Sequence, residues 1–309
     1  MLNILRRRYI LFAVSMLIII PGLALGIISG FQLSVDFTGG SLLEFELESG
    51  SLPAPAEVIN LYNQLDIKDA QVTTTGEDTL VAKSEFLDDA RRNQVLSAME
   101  EEFGQPVTVL RFDSVGPTVG REVATRAALA VAVAAIIVVI YITYAFRGIP
   151  HAFRYGVCAI IAMIHDVAIV ISLGAIGGYL WGWQVDALFL TALLTVIGFS
   201  VQDKIVVFDR IRENTNILKR LPFETLVNHS IVQTLQRSIN TQLMTVEFML
   251  LALALFGGVT LREFAVILLV GLFSGTYSSI FIAAPVLVVW EKREWRTWFN
   301  RGGSKEAVA

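Results

Sequence analysis

GFSVQDKIVVFDRIREN, Gly198 to Asn214, is the stretch that decides how the chain is read. It begins as the end of an apolar run from Ala187 to Val201, and Asp203 and Lys204 follow inside that run. Ile205, Val206, Val207 and Phe208 resume it, and Asp209, Arg210, Arg212 and Glu213 close it. An ionisable pair with apolar residues on both sides is costly in a bilayer. Such residues face a bundle interior or a water path, which makes them a functional-site hypothesis by default.

Composition agrees with a membrane setting. The 309 residues are 54% hydrophobic and 17% charged, with a mean hydropathy of +0.63. Several apolar runs approach the roughly 20 residues that span a bilayer. The net charge of −4 hides an asymmetry. Residues 31–120 hold 16 acidic and 5 basic side chains, and the rest holds 12 acidic and 19 basic. One block is therefore an acidic soluble domain, and the remainder is membrane with basic flanks. No basic stripe lies on a soluble face, which argues against a nucleic-acid partner. The single Cys158 sits in an apolar segment, so neither a disulfide framework nor a cysteine metal site is expected.

Working outward, six spans are expected. Arg6, Arg7 and Arg8 precede the first, Ile10 to about Gly30, read as an uncleaved helix with a Pro21-Gly22 kink site rather than a signal peptide. The others lie near Ala127–Phe146, Tyr155–Leu180, Ala187–Phe208, Ile239–Gly258 and Phe264–Trp290. Basic clusters at Arg147–Arg154, Arg210–Arg220 and Lys292–Arg296 all fall on one side of such a bundle. By the positive-inside rule both termini are cytoplasmic and residues 31–122 lie outside, in the bacterial inner membrane. The link Glu213–Gln236 reads as holding a short interfacial helix. The division expected is 1–33 for the N-terminus and first span, 34–120 for the outer domain, 121–293 for spans two to six with a cytoplasmic loop at about 210–237, and 294–309 for a cytoplasmic tail.

The outer block alternates. Leu43, Phe45 and Leu47 are interleaved with Glu44, Glu46 and Glu48, which is a half-buried strand. Val58, Leu61, Tyr62 and Leu65 recur at helical spacing, Ala70–Thr75 and Thr79–Lys83 read as two strands, and Leu96, Met99 and Phe103 mark a second helix closed by Gly104. Val107–Asp113 is a last strand. The order βαββαβ is the ferredoxin-like signature.

Chemistry narrows to few residues. Asp203 lies six residues before Asp209, roughly 9 Å above the membrane exit. Arg237 opens the fifth span from the same side and can reach inward, so an Asp203–Arg237 pair is feasible. Lys204 points about 100° away from Asp203 on a helix and need not share that site. One reading is a protonatable carboxylate biased by a cation, and the other is a static ion pair that fixes helix packing. His165-Asp166 in the third span is either a second polar node or an interhelical hydrogen bond. No second ligand follows at metal-binding spacing. Glu247, in the fifth span, is either a neutral helix contact or an extra titratable site. Gly271, Ser274, Gly275, Ser278 and Ser279 give the sixth span a small face, read as close helix packing. No hydrolase motif or P-loop is present. An intramembrane hydrolase built on His165 and Asp166 therefore lacks a nucleophile, and ion-gradient energy is the expected drive.

Four stretches resemble the SecD/SecF family of Sec translocase subunits, within the RND-like permease superfamily. They are VDFTGG at Val35–Gly40, VGPTVGREV at Val115–Val123, the opening stretch, and GTYSSIFIAAP at Gly275–Pro285. The resemblance implies an RND-like six-helix subunit that pairs with SecD. It implies partners in the SecYEG channel, accessory proteins like YajC and YidC, and a translocating unfolded polypeptide. Protons serve as coupling ion, with no cofactor, no metal and no enzymatic activity. Its proton-linked residues map onto Asp203, Arg237 and Asp166, with His165 beside Asp166. Gln202, Lys204, Gln242, Met244 and Glu247 depart from the usual pattern, which makes Lys204 and Glu247 candidate tuning residues. An RND-type exporter of small molecules or lipids is the alternative, although such exporters need about twelve spans and large docking domains.

Overall fold

The computed structural model describes residues 4–47, 52–75, 79–147, 152–242, 248–256 and 259–294. Contacts divide the chain into two compact units, Met1–Gln32 with Val131–Ala309, and Leu33–Ala130.

In the second unit, α2 (Val35–Thr38) leads into β1 (Gly40–Leu47). Then follow α3 (Pro55–Gln64), β2 (Gln71–Thr75), β3 (Thr79–Ser84), α4 (Asp89–Phe103) and β4 (Val107–Val115). The expected βαββαβ order is observed. The sheet runs β2-β3-β1-β4 with all three pairings antiparallel. Leu43 lies opposite Ala82, and Phe45 opposite Leu80. The period-2 pattern of β1 places both on the face that α3 and α4 cover with Val58, Tyr62, Val95 and Met99. Val95, rather than the expected Leu96, is the fully buried neighbour of Met99. Asp88 caps α4 by accepting from the Arg91 N–H at 2.8 Å, and Gly104 ends it at φ 64°. Gly39 and Gly40 hold φ +75° and +121°. A Cβ on Gly39 would lie 2.6 Å from Pro117 Cα, and one on Gly40 would lie 2.6 Å from the Ser84 carbonyl oxygen. Only glycine fits both the conformation and the space.

The first unit is helical. It holds α1 (Arg8–Ser29), the C-terminal part of α5 (Pro117–Ala145), α6 (Ala152–Trp181), α7 (Ala187–Ile217) and α8 (Phe223–Gln242). Then come α9 (Phe248–Phe256), α10 (Val259–Ser278), a π-helical stretch Ser279–Ala283, and α11 (Ala284–Glu291). Among the described residues five helical segments are long and apolar enough to cross a membrane: Leu5–Ser29, Pro117–Ala145, Phe153–Trp181, Ala187–Ile217 and Leu261–Glu291. The expected fifth span falls on the end of α8 and on α9, and residues 243–247 between them lie outside the described residues. The expected link Glu213–Gln236 is mostly helix. α7 runs on to Ile217 and α8 starts at Phe223, so only 218–222 turn, ending at Pro222.

Small residues set the close approaches. A Cβ on Gly22 would lie 2.3 Å from Ser172 Cβ, and one on Gly271 would lie 2.3 Å from Val196 Cγ2. α1 therefore lies against α6, and α10 against α7, without an intervening side chain. Pro21 does not interrupt α1. Beyond the apolar segments, Arg8 pairs with Glu224 at 2.9 Å and with Glu294 at 2.5 Å, and Lys292 pairs with Glu224. These contacts tie the start of α1, the start of α8 and the end of α11. The Lys292 ammonium, helped by Arg8, holds the Glu224 carboxyl below its ordinary range.

Candidate functional site

α6, α7 and α10 meet around one carboxylate. Asp166 and Lys204 are both 0% exposed, and Lys204 Nζ lies 2.7 Å from Asp166 Oδ2. Lys204 also donates to the hydroxyl and the carbonyl of Ser200, one turn earlier on α7. Three hydroxyls donate to Asp166: Ser200 at 2.6 Å, Ser274 at 2.8 Å and Ser278 at 2.6 Å. His165 Nδ1 stands 3.1 Å from Asp166 Oδ1. Five donors around two oxygens match an acceptor-only carboxylate beside an ammonium. A buried ion pair persists when its remaining lone pairs are satisfied in this way.

Asp203 belongs to a different set. Ser238 of α8 donates to its Oδ1 at 2.8 Å, and Ser279 donates to its Oδ2 at 2.6 Å. Consecutive serines thus serve two carboxylates, Ser278 serving Asp166 and Ser279 serving Asp203. Ser279 opens the π-helical stretch, where the change of helical pitch re-aims side chains. Further along, α7 and α8 are joined by Asn214 to Ser230 at 2.8 Å and by Arg210 to Gln233 at 2.7 Å.

Two expectations need correction. Asp203 does not pair with Arg237. Arg237 is exposed, because its neighbour Ser238 is the α8 residue that faces Asp203, and adjacent helical residues differ by about 100°. The expected pairing fails on direction around α8, which turns Ser238 rather than Arg237 toward Asp203. Lys204 does point away from Asp203, and in doing so it enters the most buried polar cluster of the described residues, against Asp166. The serine face of α10, read as packing alone, also supplies hydroxyls to both carboxylates. Ser200, Ser238, Ser274, Ser278 and Ser279 were not singled out as site residues. The available signal was spacing: Ser200 to Lys204 and Ser274 to Ser278 are both i,i+4 pairs on one helix face. His165 is buried and stacks on Tyr277, with ring centroids 6.2 Å apart. Glu247 lies outside the described residues.

Comparison with known proteins identifies the architecture. The family model described as "Protein export membrane protein SecD/SecF, C-terminal" matches residues 95–293, and the "SecD/SecF GG Motif" matches residues 24–50. The chain belongs to the SecD/SecF family. The GG-motif match covers Gly39-Gly40, the two glycines that the fold requires. A family member from Anaerolinea thermophila, protein translocase subunit SecF, is 71% identical over 98% of both chains. One from Thermobaculum terrenum, with the same name, is 43% identical over 97% of this chain and 98% of its own. The crystal structure of SecDF from Thermus thermophilus, titled a translocon-associated membrane protein, superimposes with a TM-score of 0.81 at 33% identity. That match covers 94% of this chain and 39% of the longer SecDF chain.

Proposed function

We propose that this chain is the SecF-type accessory subunit of the bacterial Sec translocase, acting with SecD to promote polypeptide translocation across the cytoplasmic membrane at the expense of the proton-motive force. Near-complete coverage by relatives named translocase subunit SecF supports the assignment. Relatives named SecDF, in Thermus thermophilus and Bacillus subtilis, support SecD as the partner. The SecYEG channel and accessory proteins like YajC and YidC complete the proposed assembly, and the subunit's role is non-enzymatic. We read six spans, with the end of α8 and α9 forming the fifth. We read the outer domain as ferredoxin-like, on its βαββαβ order and antiparallel sheet, and both termini as cytoplasmic.

The observation that carries the coupling reading is the pair of carboxylate clusters among helices built to lie in lipid. One charge crossing 100 mV is worth about 2.3 kcal/mol, so a carboxylate that binds and releases a proton can bias helix packing. Asp203 suits that role. It is half-buried and held only by neutral hydroxyls among its described partners, so changing its charge leaves no counter-ion stranded. Asp166–Lys204 is a fixed internal pair that anchors α6, α7 and α10. Arg237 precedes Ser238 on α8 by one position. A turn of α8 by about 100° would exchange a neutral donor for a cation at Asp203.

The test is gradient-driven polypeptide movement in proteoliposomes holding this chain, SecD and the Sec channel. Asp203→Asn is expected to remove the gradient-dependent component while assembly with SecD persists. Full gradient-dependent translocation by that variant would overturn the carrier role.

A further inference from the structure

Among the described residues, four buried side-chain polar atoms have no hydrogen-bonding partner in the protein, and two of them lie within the facing stretches of α1 and α6: Ser15 Oγ and His165 Nε2. Burying such atoms unpaired costs about 1–3 kcal/mol each, so native folds pair nearly all of them.

The helix register brings the two together. Gly22 of α1 lies against Ser172 of α6, and Gly26 lies against Ala175, so the helices run parallel in step. Ser172 Oγ donates to the Ile19 carbonyl at 3.1 Å. Seven residues back from Gly22 is Ser15, and seven back from Ser172 is His165. Seven residues are about two turns, so both positions keep the facing side and the same level, roughly 10 Å along. Ser15, Ile19, Gly22 and Gly26 are the buried stripe of α1. Tyr277 fixes the level independently. Its ring stacks on His165, and its hydroxyl donates to the Leu11 carbonyl at 3.1 Å, one turn before Ser15.

That tyrosine also explains why Ser15 is left over. A helical serine ordinarily turns its hydroxyl back to the carbonyl four residues earlier, which here is Leu11. A carbonyl has two lone pairs. In the helix one of these receives the Ser15 N–H, and the Tyr277 hydroxyl takes the other. On the histidine side, Nδ1 faces Asp166, whose other contacts are all donors. The ring proton therefore sits on Nδ1, which leaves Nε2 a bare acceptor in the neutral ring.

We infer that a water molecule is bound between α1 and α6, donating to His165 Nε2 and hydrogen-bonded to Ser15 Oγ, so that the first helix joins the polar cluster of Asp166 and Lys204. A buried water needs two to four polar partners, and these two atoms supply the minimum set. His165 then acts as a positioning residue, carrying hydrogen bonding from α1 to Asp166 through its two nitrogens. The inference rests on register and donor counting, and it stands whether or not Asp203 carries protons.

The test uses the full chain in lipid bilayers with ¹⁵N-labelled histidine. The chain has three histidines, and His165→Gln identifies the resonances of interest. The expected result is a neutral ring protonated at Nδ1, with Nε2 displaced from the free-imine position and showing magnetisation transfer from water. Ser15→Val, which fills the space with a methyl group, should abolish that transfer. Ser15→Ala, the milder variant, should reduce it several-fold. A proton on Nε2, no water contact in the unmodified protein, or transfer unchanged in Ser15→Ala would overturn the inference. Translocation activity does not enter the readout, so failure here is distinct from failure of the coupling proposal.

Discussion

Removing both members of the Asp166–Lys204 pair should cost the bundle far less than the two single losses added together. Lys204→Met keeps the stem and its packing but strips the counter-charge from a carboxylate that is 0% exposed. Asp166→Asn leaves an ammonium that is also 0% exposed, with only Ser200 as a further partner among the described contacts. Breaking a buried pair from one side costs about 3–5 kcal/mol, because the stranded charge stays buried. The lower end applies here, since helices denatured in a micelle find substitute partners. The double variant strands no charge. Its defect is the poorer fit of the Ser200, Ser274 and Ser278 hydroxyls to an amide, about 1 kcal/mol each at most. The two single losses then sum to about 6 kcal/mol, while the double loss stays near 3 kcal/mol or below. The coupling energy is about 3 kcal/mol. Denaturing-detergent titration of all four proteins, followed by far-ultraviolet circular dichroism, measures the cycle. Losses additive to within about 0.5 kcal/mol would refute the pairing as an energetic unit.

Ser238→Ala and Ser279→Ala each remove one donor from Asp203. Hydrogen bonds to charged groups are worth about 1.5–3 kcal/mol, so each substitution should lower stability by about that amount in the same titration. Gly22→Ala places a methyl group 2.3 Å from Ser172 Cβ. It should part α1 from α6 at a cost of about 1–3 kcal/mol, visible as a lowered unfolding midpoint. Gly39→Ala adds a Cβ at φ +75° and 2.6 Å from Pro117 Cα. It should raise protease sensitivity in residues 33–130. Glu224 has its folded-state pKa depressed, chiefly by Lys292. Its stabilising effect is present above the unfolded value of about 4.3 and is lost as pH falls through the lower folded value. Glu224→Gln should therefore flatten the acid limb of the stability profile, and salt should weaken the same contact.

Much of the architecture was legible in the order of residues. Apolar runs set the spans because backbone groups in lipid must be satisfied within the helix, and that requirement is local. Period-2 alternation in Leu43–Glu48 and the caps at Asp88 and Gly104 set the elements of the second unit, again through local geometry. Level along the helix was legible too: counting back from Asp209 places Asp203 about two turns earlier on α7. What the sequence did not disclose was direction around each helix. Successive residues differ by about 100°, so Asp203 and Lys204 face different neighbours, as do Arg237 and Ser238, and so do Ser278 and Ser279. Which neighbour each meets depends on how the helices are rotated. That rotation is set by the contacts of Gly22, Gly271 and Gly275 and by the π-helical stretch after Ser278. From sequence the ionisable residues could be found but not paired. Only the packed bundle assigned Lys204 to Asp166, and Asp203 to two serines.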